Sequence, residues 1–527
     1  MWLRGFSSSA SATRVLKEKK WDALVIGAGH NGLIAAAYLA RGGLSVAVLE
    51  RRHVIGGAAV TEEIIPGFKF SRCSYLLSLL RPSIIRYESQ LHKFCKFMDF
   101  LLDSHTPETL HGDSSLIDQL RDKLNKSVFW TRCLQHALSL GQKDMVDLMD
   151  LLLSPTSKVL HKWFEVVIIT LSNIEVIVIC LSDVVKATLA ADSIIGSMAS
   201  IHTPGSGYVL LHHVMGETDG ERSIWSHVEG GMGSVSLAIS NAAKEAGVHI
   251  VTNAEVSKLM IEDSGIVNGV LLADGEQLCS SIVLSNATPY KTFIELVPQK
   301  FLPDDFVRAI KNSNYSSGTT KINVAVDKLP QFQSCKLSHP EVGPQHTATI
   351  HIGSESMEEI GSACQDAWNG LPSRRPVMEM TIPSSLDKTI SPPGKHVVSL
   401  FTQYTPYKPS DGSWENPTYS ESYAQRCFNL IDEYAPSFSS SVIGYDMLTP
   451  PDLEREFSLT GGNIFHGAMG LDSLFLMRPI KGWSDHRTPI RGLYMCGSGS
   501  HPGGGVMGAP GRNAAHVVLQ DVKKRSR

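Results

Sequence analysis

Short unbroken apolar runs mark the first pattern in this chain. Ala23 to Ile26 is one, and Val46 to Leu49, within the strand expected over Ser45 to Leu49, is another. Such runs fit strands covered on both faces, as in a parallel sheet between helices. Between them, Leu33 to Arg41 has the composition of a helix, and Gly42-Gly43 supply its stop. Alternation is the second pattern. Val256 to Ile261, Val267 to Leu272 and Gln277 to Leu284, with Asp274-Gly275 at a turn, predict a small β-meander. Thr320 to Val326 and Val397 to Gln403 predict strands of an antiparallel sheet in a separate region. The third pattern is a long apolar stretch, Phe164 to Val185. A membrane span needs about 20 predominantly apolar residues. Asn173 and Glu175 interrupt this one at its centre, where a carboxylate costs about 2.5 to 3.5 kcal/mol. A buried hairpin or a surface-lying segment is expected instead.

Loops entering helices are expected at His202 to Tyr208 and Trp225 to Gly233, the second leading into a helix over Ser234 to Ala246. Thr449 is positioned to cap a helix starting at Pro450. His212 and His213 are adjacent; on a strand they would face opposite ways and could not share a metal.

The first strand runs into Gly27-x-Gly29-x-x-Gly32, with His30 and Asn31 inside the loop. Each glycine has a reason to be there. Gly27 permits the sharp turn, Gly29 lets a pyrophosphate approach the backbone, and Gly32 lets the helix pack close to the sheet. The helix N-terminus then offers free N–H groups and partial positive charge to phosphates. Glu50 stands at the end of the second strand, where its carboxylate can accept from ribose hydroxyls. It would repel a 2′-phosphate, which disfavours NADP, although Arg51 and Arg52 follow it. The spacing alone leaves FAD and NAD open.

Leu49-Glu50, five residues, then Gly56-Gly57-Ala58 resembles the extended FAD signature of the amine oxidase and phytoene desaturase flavoproteins. Near the other end, Gly492 to Ala509, with Cys496-Gly497 and Gly503-Gly504-Gly505-Val506, resembles the flavin-end motif of the same group. Within it the chain is most similar to the carotenoid/retinoid oxidoreductase family. That resemblance implies an α/β fold: a Rossmann-like FAD-binding domain (parallel sheet plus β-meander) with a discontinuous α+β substrate/cap domain. The FAD-binding domain would comprise residues 21–82, 225–289 and 486–522, and the cap 83–224 and 290–485. The implied cofactor contacts are Gly27, Gly29, His30, Asn31, Gly32, Glu50, Arg51, Gly56, Gly57, Ala58, Val256 at the adenine, Gly497, Gly505 and Val506. A helix starting near Val506 would aim its N-terminus at the flavin. His466 and Arg478 are the candidates on the substrate side. Relatives pass almost directly from the equivalent of Trp163-Phe164-Glu165 to that of Lys186, so the apolar stretch between reads as an insertion or as translated non-coding sequence.

The implied activity is FAD-dependent hydride abstraction from a small hydrophobic molecule, desaturase-like. The alternatives are a flavoprotein amine oxidase, or a catalytically degenerate FAD-binding regulator acting through protein partners. Carbon–carbon desaturation needs an apolar pocket and exclusion of water, not an acid/base dyad, so the sequence names no catalytic side chain.

Composition narrows this further. A net charge of −4 over 527 residues gives no reason to expect nucleic acid. The nine cysteines lie at least twenty-two residues apart. No C-x-x-C zinc or dithiol redox pair is therefore available, and no metal is expected from spacing. Residues 1–20 are basic, serine-rich and nearly free of acids, as a mitochondrial transit segment is. The expected location is the mitochondrial matrix, with peripheral association to the inner membrane or its proteins.

Overall fold

The computed structural model describes residues 16, 19–75, 77–78, 85–104, 106–107, 116–163, 169–171, 174–176, 180–218, 221–222, 225–335 and 342–525. Most of the expected transit segment lies outside them. Of its described residues, Leu16 is buried and accepts a hydrogen bond from the Trp21 indole at 3.0 Å.

Five parallel strands form the first sheet, in the order His249–Val251, Val46–Leu49, Ala23–Ile26, Val283–Ser285, Leu493–Met495. Alternate side chains of the central strand serve different cores. Ala23 and Val25 face the helix His30–Arg41 (Leu33, Ala36, Leu39), which packs between helices Gly233–Glu245 and Ala509–Arg525. Leu24 and Ile26 face a core shared with Leu259 and Val270 of the β-meander and with Phe293 and Phe306. Both faces are covered, which is why the strand shows no polar alternation. The meander comprises Val256–Ile261, Val267–Leu272 and Gln277–Cys279. The segment assigned to the meander over Gln277 to Leu284 therefore divides. Ser280 turns the chain, its Oγ donating to Asp22 O at 3.0 Å, and Val283–Ser285 joins the parallel sheet.

A second sheet is antiparallel throughout, in the order Ile350–Ile352, Val377–Thr381, His396–Gln403, Thr319–Val326, Val442–Leu448. Ile322, Val324, Met380 and Leu400 point to a core closed by Tyr423, Cys427, Phe428 and Ile431 of helix Pro417–Asp432. The alternate positions, Lys321 and Asn323, are polar yet fully buried on the other face.

Helices Ile85–Asp103, Gln142–Leu153, Thr156–Trp163, Cys180–Asp192 and Ser206–Val214 contribute to one further core. His212 and His213 belong to the last of these, not to a strand. The apolar run Tyr208 to Leu211 is buried on every side, and such a run has no period that separates strand from helix. Within the long apolar stretch, Ile169–Leu171 and Ile174–Val176 pair antiparallel. Among the described residues no helix is long and apolar enough to cross a membrane. Thr449 precedes helix Pro450–Phe457, and its N–H donates to Asp452 at 3.0 Å.

Candidate active site

Strand, glycine turn and helix set the floor of the site. Gly27 has a φ of +91°, and a Cβ on Gly32 would lie 2.2 Å from Gly27 O, so helix and turn pack closer than any other residue permits. Gly29 precedes the helix with no side-chain cap, and the first turn of His30–Arg41 holds no acid. Its free N–H groups meet no competing anion. Gly29 and Gly56 form an isolated bridge, and Gly56 N donates to Ala28 O at 2.9 Å. The glycine pair thus lies directly on the glycine turn.

Glu50 is buried and held from two sides. Its carboxylate accepts from Ala28 N at 2.7 Å and from Arg52 N at 2.9 Å. Burial pushes its pKa up, opposed by those N–H groups and by Arg52 and Arg51. Both arginines are partly engaged by the protein itself, although Arg52 Nη1 has no partner. Arg51 donates to Glu456 O at 2.8 Å and Arg455 O at 3.2 Å, and Arg52 pairs with Glu62 at 2.7 Å.

These groups open into a cavity of about 650 Å³. Gly27, Gly29, His30, Asn31, Glu50, Arg51, Gly56, Gly57, Ala58, Val256, His466, Gly505 and Val506 all line it. The two end motifs meet there: His30 Nε2 lies 3.1 Å from Gly505 O, across 475 residues. Three expected residues do not line it. Gly32 and Gly497 act in packing, and a Cβ on Gly497 would lie 2.7 Å from Asn286 O. Arg478 is buried away from the cavity, where its guanidinium donates to the carbonyls of Ser498, Ala468, Ser473 and Phe465. It is a structural cation, and desolvation lowers it to about 10. The helix expected near Val506 begins at Ala509, because Gly505 and Gly508 both adopt positive φ.

The cap side of the cavity holds residues that sequence reasoning passed over. Tyr75, Ile195, His212, His213, Phe401 and Phe465 line it. Tyr75 donates to Glu379, and the Lys321 ammonium lies 4.7 Å above its ring. Burial pushes Lys321 down to about 7. The available signal was a lysine in the middle of a β-branched strand. His466 is half-buried, with Nδ1 enclosed and unpartnered, and desolvation followed by the charge of Arg478 lowers it to about 3.

The residues fit FAD. The uncapped helix start, the stacked glycine turns and the pinned Glu50 suit the ADP half. Asn31, His212 and His466 line the same cavity, and each carries one buried polar atom without a partner.

A model of the NAD(P)-binding Rossmann-like domain matches residues 25–96, and that of the flavin containing amine oxidoreductases matches residues 179–443, half of the chain. The chain belongs to the flavin-containing amine oxidoreductase family. It is 46% identical to mouse pyridine nucleotide-disulfide oxidoreductase domain-containing protein 2, over 96% of this chain and 94% of that one. It is 28% identical to one of the subunits of limonene dehydrogenase from Castellaniella defragrans, over 96% of this chain and 95% of that one. Wild-type putrescine oxidase shares the fold, with a TM-score of 0.53 at 15% identity over 96% of this chain and all of that one. The carotenoid-desaturase-like kinship read from the two end motifs stands. As a flavin-containing amine oxidoreductase with this site, the protein is an FAD-dependent oxidoreductase.

Proposed function

We propose that the protein takes hydride from a C–H bond of an apolar small molecule, in a desaturase-like reaction, within the mitochondrial matrix and against the inner membrane. The observation carrying this reading is the cavity itself. Beside the dinucleotide loops it is walled by Leu102, Ile195, Met215, Phe401, Ile464 and Phe465. Bound FAD supplies the hydride acceptor. These apolar side chains would hold an apolar substrate by contact. The name of the bacterial relative, part of a limonene dehydrogenase, points to the same substrate class.

The membrane reading is supported by a row of exposed apolar side chains. Leu124, Leu134 and Leu138 on helix Leu116–Leu140 are exposed, as are Val146 and Leu153 on the next helix. Lys123, Arg132 and Lys143 lie among them, the mixture that suits an anionic bilayer surface. Phe100 of helix Ile85–Asp103 stacks on His136 of this surface, while Asp99, Leu102 and Asp103 of the same helix line the cavity. The basic, acid-poor residues 1–20 support matrix import.

The test is anaerobic bleaching of the protein-bound flavin. Terpene or polyene hydrocarbons should bleach it, and aliphatic amines should not. Bleaching by amines alone overturns the substrate class.

A further inference from the structure

Tyr75, on the cavity wall, leads to a cluster that the proposed reaction does not use. Asp192 is the last residue of helix Cys180–Asp192, His351 is central in strand Ile350–Ile352, and Glu379 is central in strand Val377–Thr381. One ligand-capable atom from each lies within 4.8 Å of the others. The sheet register builds half of this arrangement. His351 and Glu379 are direct cross-strand partners, so their side chains stand together on one face. The helix end then delivers Asp192 to the pair.

The groups are poorly matched to one another as they stand. Two carboxylates approach with Glu379 buried and Asp192 and His351 half-buried. Nδ1 of His351 is buried without a hydrogen-bond partner. Lys321 lies near enough to feel Glu379, but its ammonium is bonded to Ser399 Oγ. An imidazole nitrogen without a partner beside two carboxylates is a ligand set in search of positive charge.

We propose that Asp192, His351 and Glu379 bind a divalent first-row transition-metal ion. One imidazole and two carboxylates suit Zn²⁺, Mn²⁺ or Fe²⁺. The ion offsets both carboxylate charges. Because the ligands come from one helix and two strands, the ion ties the helical region to the second sheet. The Tyr75 hydroxyl, donating to Glu379, orients that ligand from outside the coordination sphere. The metal therefore also fixes one wall of the substrate cavity.

The experiment uses the full chain loaded with FAD. Metal content is measured by mass spectrometry of the digested protein, beside flavin content by absorbance. The wild type should carry about one ion per chain, either as isolated or after dialysis against Zn²⁺, Mn²⁺ or Fe²⁺. Asp192→Ala and His351→Ala should each weaken retention of the ion by at least about tenfold, the loss that even outer-shell changes produce. Their flavin-to-protein ratio should stay unchanged, which separates a lost ligand from a lost fold. If the dialysed wild type binds none of the three ions, the proposal fails. Wild-type retention of the ion in both variants overturns it equally.

Discussion

Alanine at Gly29 and alanine at Gly32 should fail for different reasons, and the difference tests the cofactor seat. Gly29 has φ −70° and ψ 164°, a conformation any residue adopts. A Cβ there would lie 2.9 Å from Asn286 Nδ2, the movable end of a side chain, and 4.0 Å from Gly57 Cα. The fold should accept it, within about 1 kcal/mol of wild type. The methyl group does intrude on the space between the glycine turns, so a pyrophosphate must stand off from the helix N–H groups. Losing one charge-assisted hydrogen bond costs about 1.5 to 3 kcal/mol. That is roughly a 10- to 150-fold weaker FAD affinity. In Gly32→Ala the new Cβ sits 2.2 Å from a backbone carbonyl that cannot yield without moving the strand. This overpacking should cost about 1 to 3 kcal/mol in the apoprotein itself. The assay is FAD titration of apoprotein by fluorescence, paired with urea denaturation of the same preparations. Wild-type FAD affinity in Gly29→Ala would refute the placement of the phosphates.

Four further outcomes follow from the same geometry. For Lys321, the folded value of about 7 lies below the ordinary 10.5. The unfolded chain therefore holds a proton that the folded chain has lost between those values, and stability must rise with pH across that window. Denaturation of Lys321→Met beside wild type from about pH 7 to 10 should show wild type gaining stability relative to the variant as pH rises; a constant difference refutes it. Cys496→Ser, at a buried thiol with no disulfide partner, should leave flavin reduction by substrate nearly intact. Loss of reduction with FAD still bound would show that a cysteine takes part. Removing residues 1–15, which spares the contact of Leu16 with Trp21, should leave the protein cytosolic by fractionation; continued mitochondrial location refutes the import reading. Leu138→Glu, at a side chain 71% exposed, should reduce flotation with vesicles containing anionic lipid, and unchanged flotation argues against the docking face.

The dinucleotide half of the site was legible because its chemistry is local. Gly27, Gly29 and Glu50 lie within one strand–turn–helix–strand unit, and their spacing is the spacing of the contacts they make. The cap half was not. Tyr75, His213 and Phe401 reach one cavity from three separate elements, and nothing along the chain marks their meeting. Arg478 misled for a related reason. A buried arginine bonding four loop carbonyls has the same sequence signature as one that contacts a ligand. The start of the last helix, at Ala509, depended on the positive φ of Gly505 and Gly508, and sequence cannot fix the sign of a glycine torsion.

The contact of His30 with Gly505 has a bearing on how the protein is made. The parallel sheet takes strands from residue 23 to residue 495, and its last member pairs with Val283–Ser285. During synthesis the first glycine turn emerges early but waits for nearly the whole polypeptide before its opposing loop exists. A ribosome stalled anywhere before that loop releases a product with half a binding cleft. Flavin retention thus reports on completeness of the chain: any fragment lacking its final strand and helix should leave translation colourless.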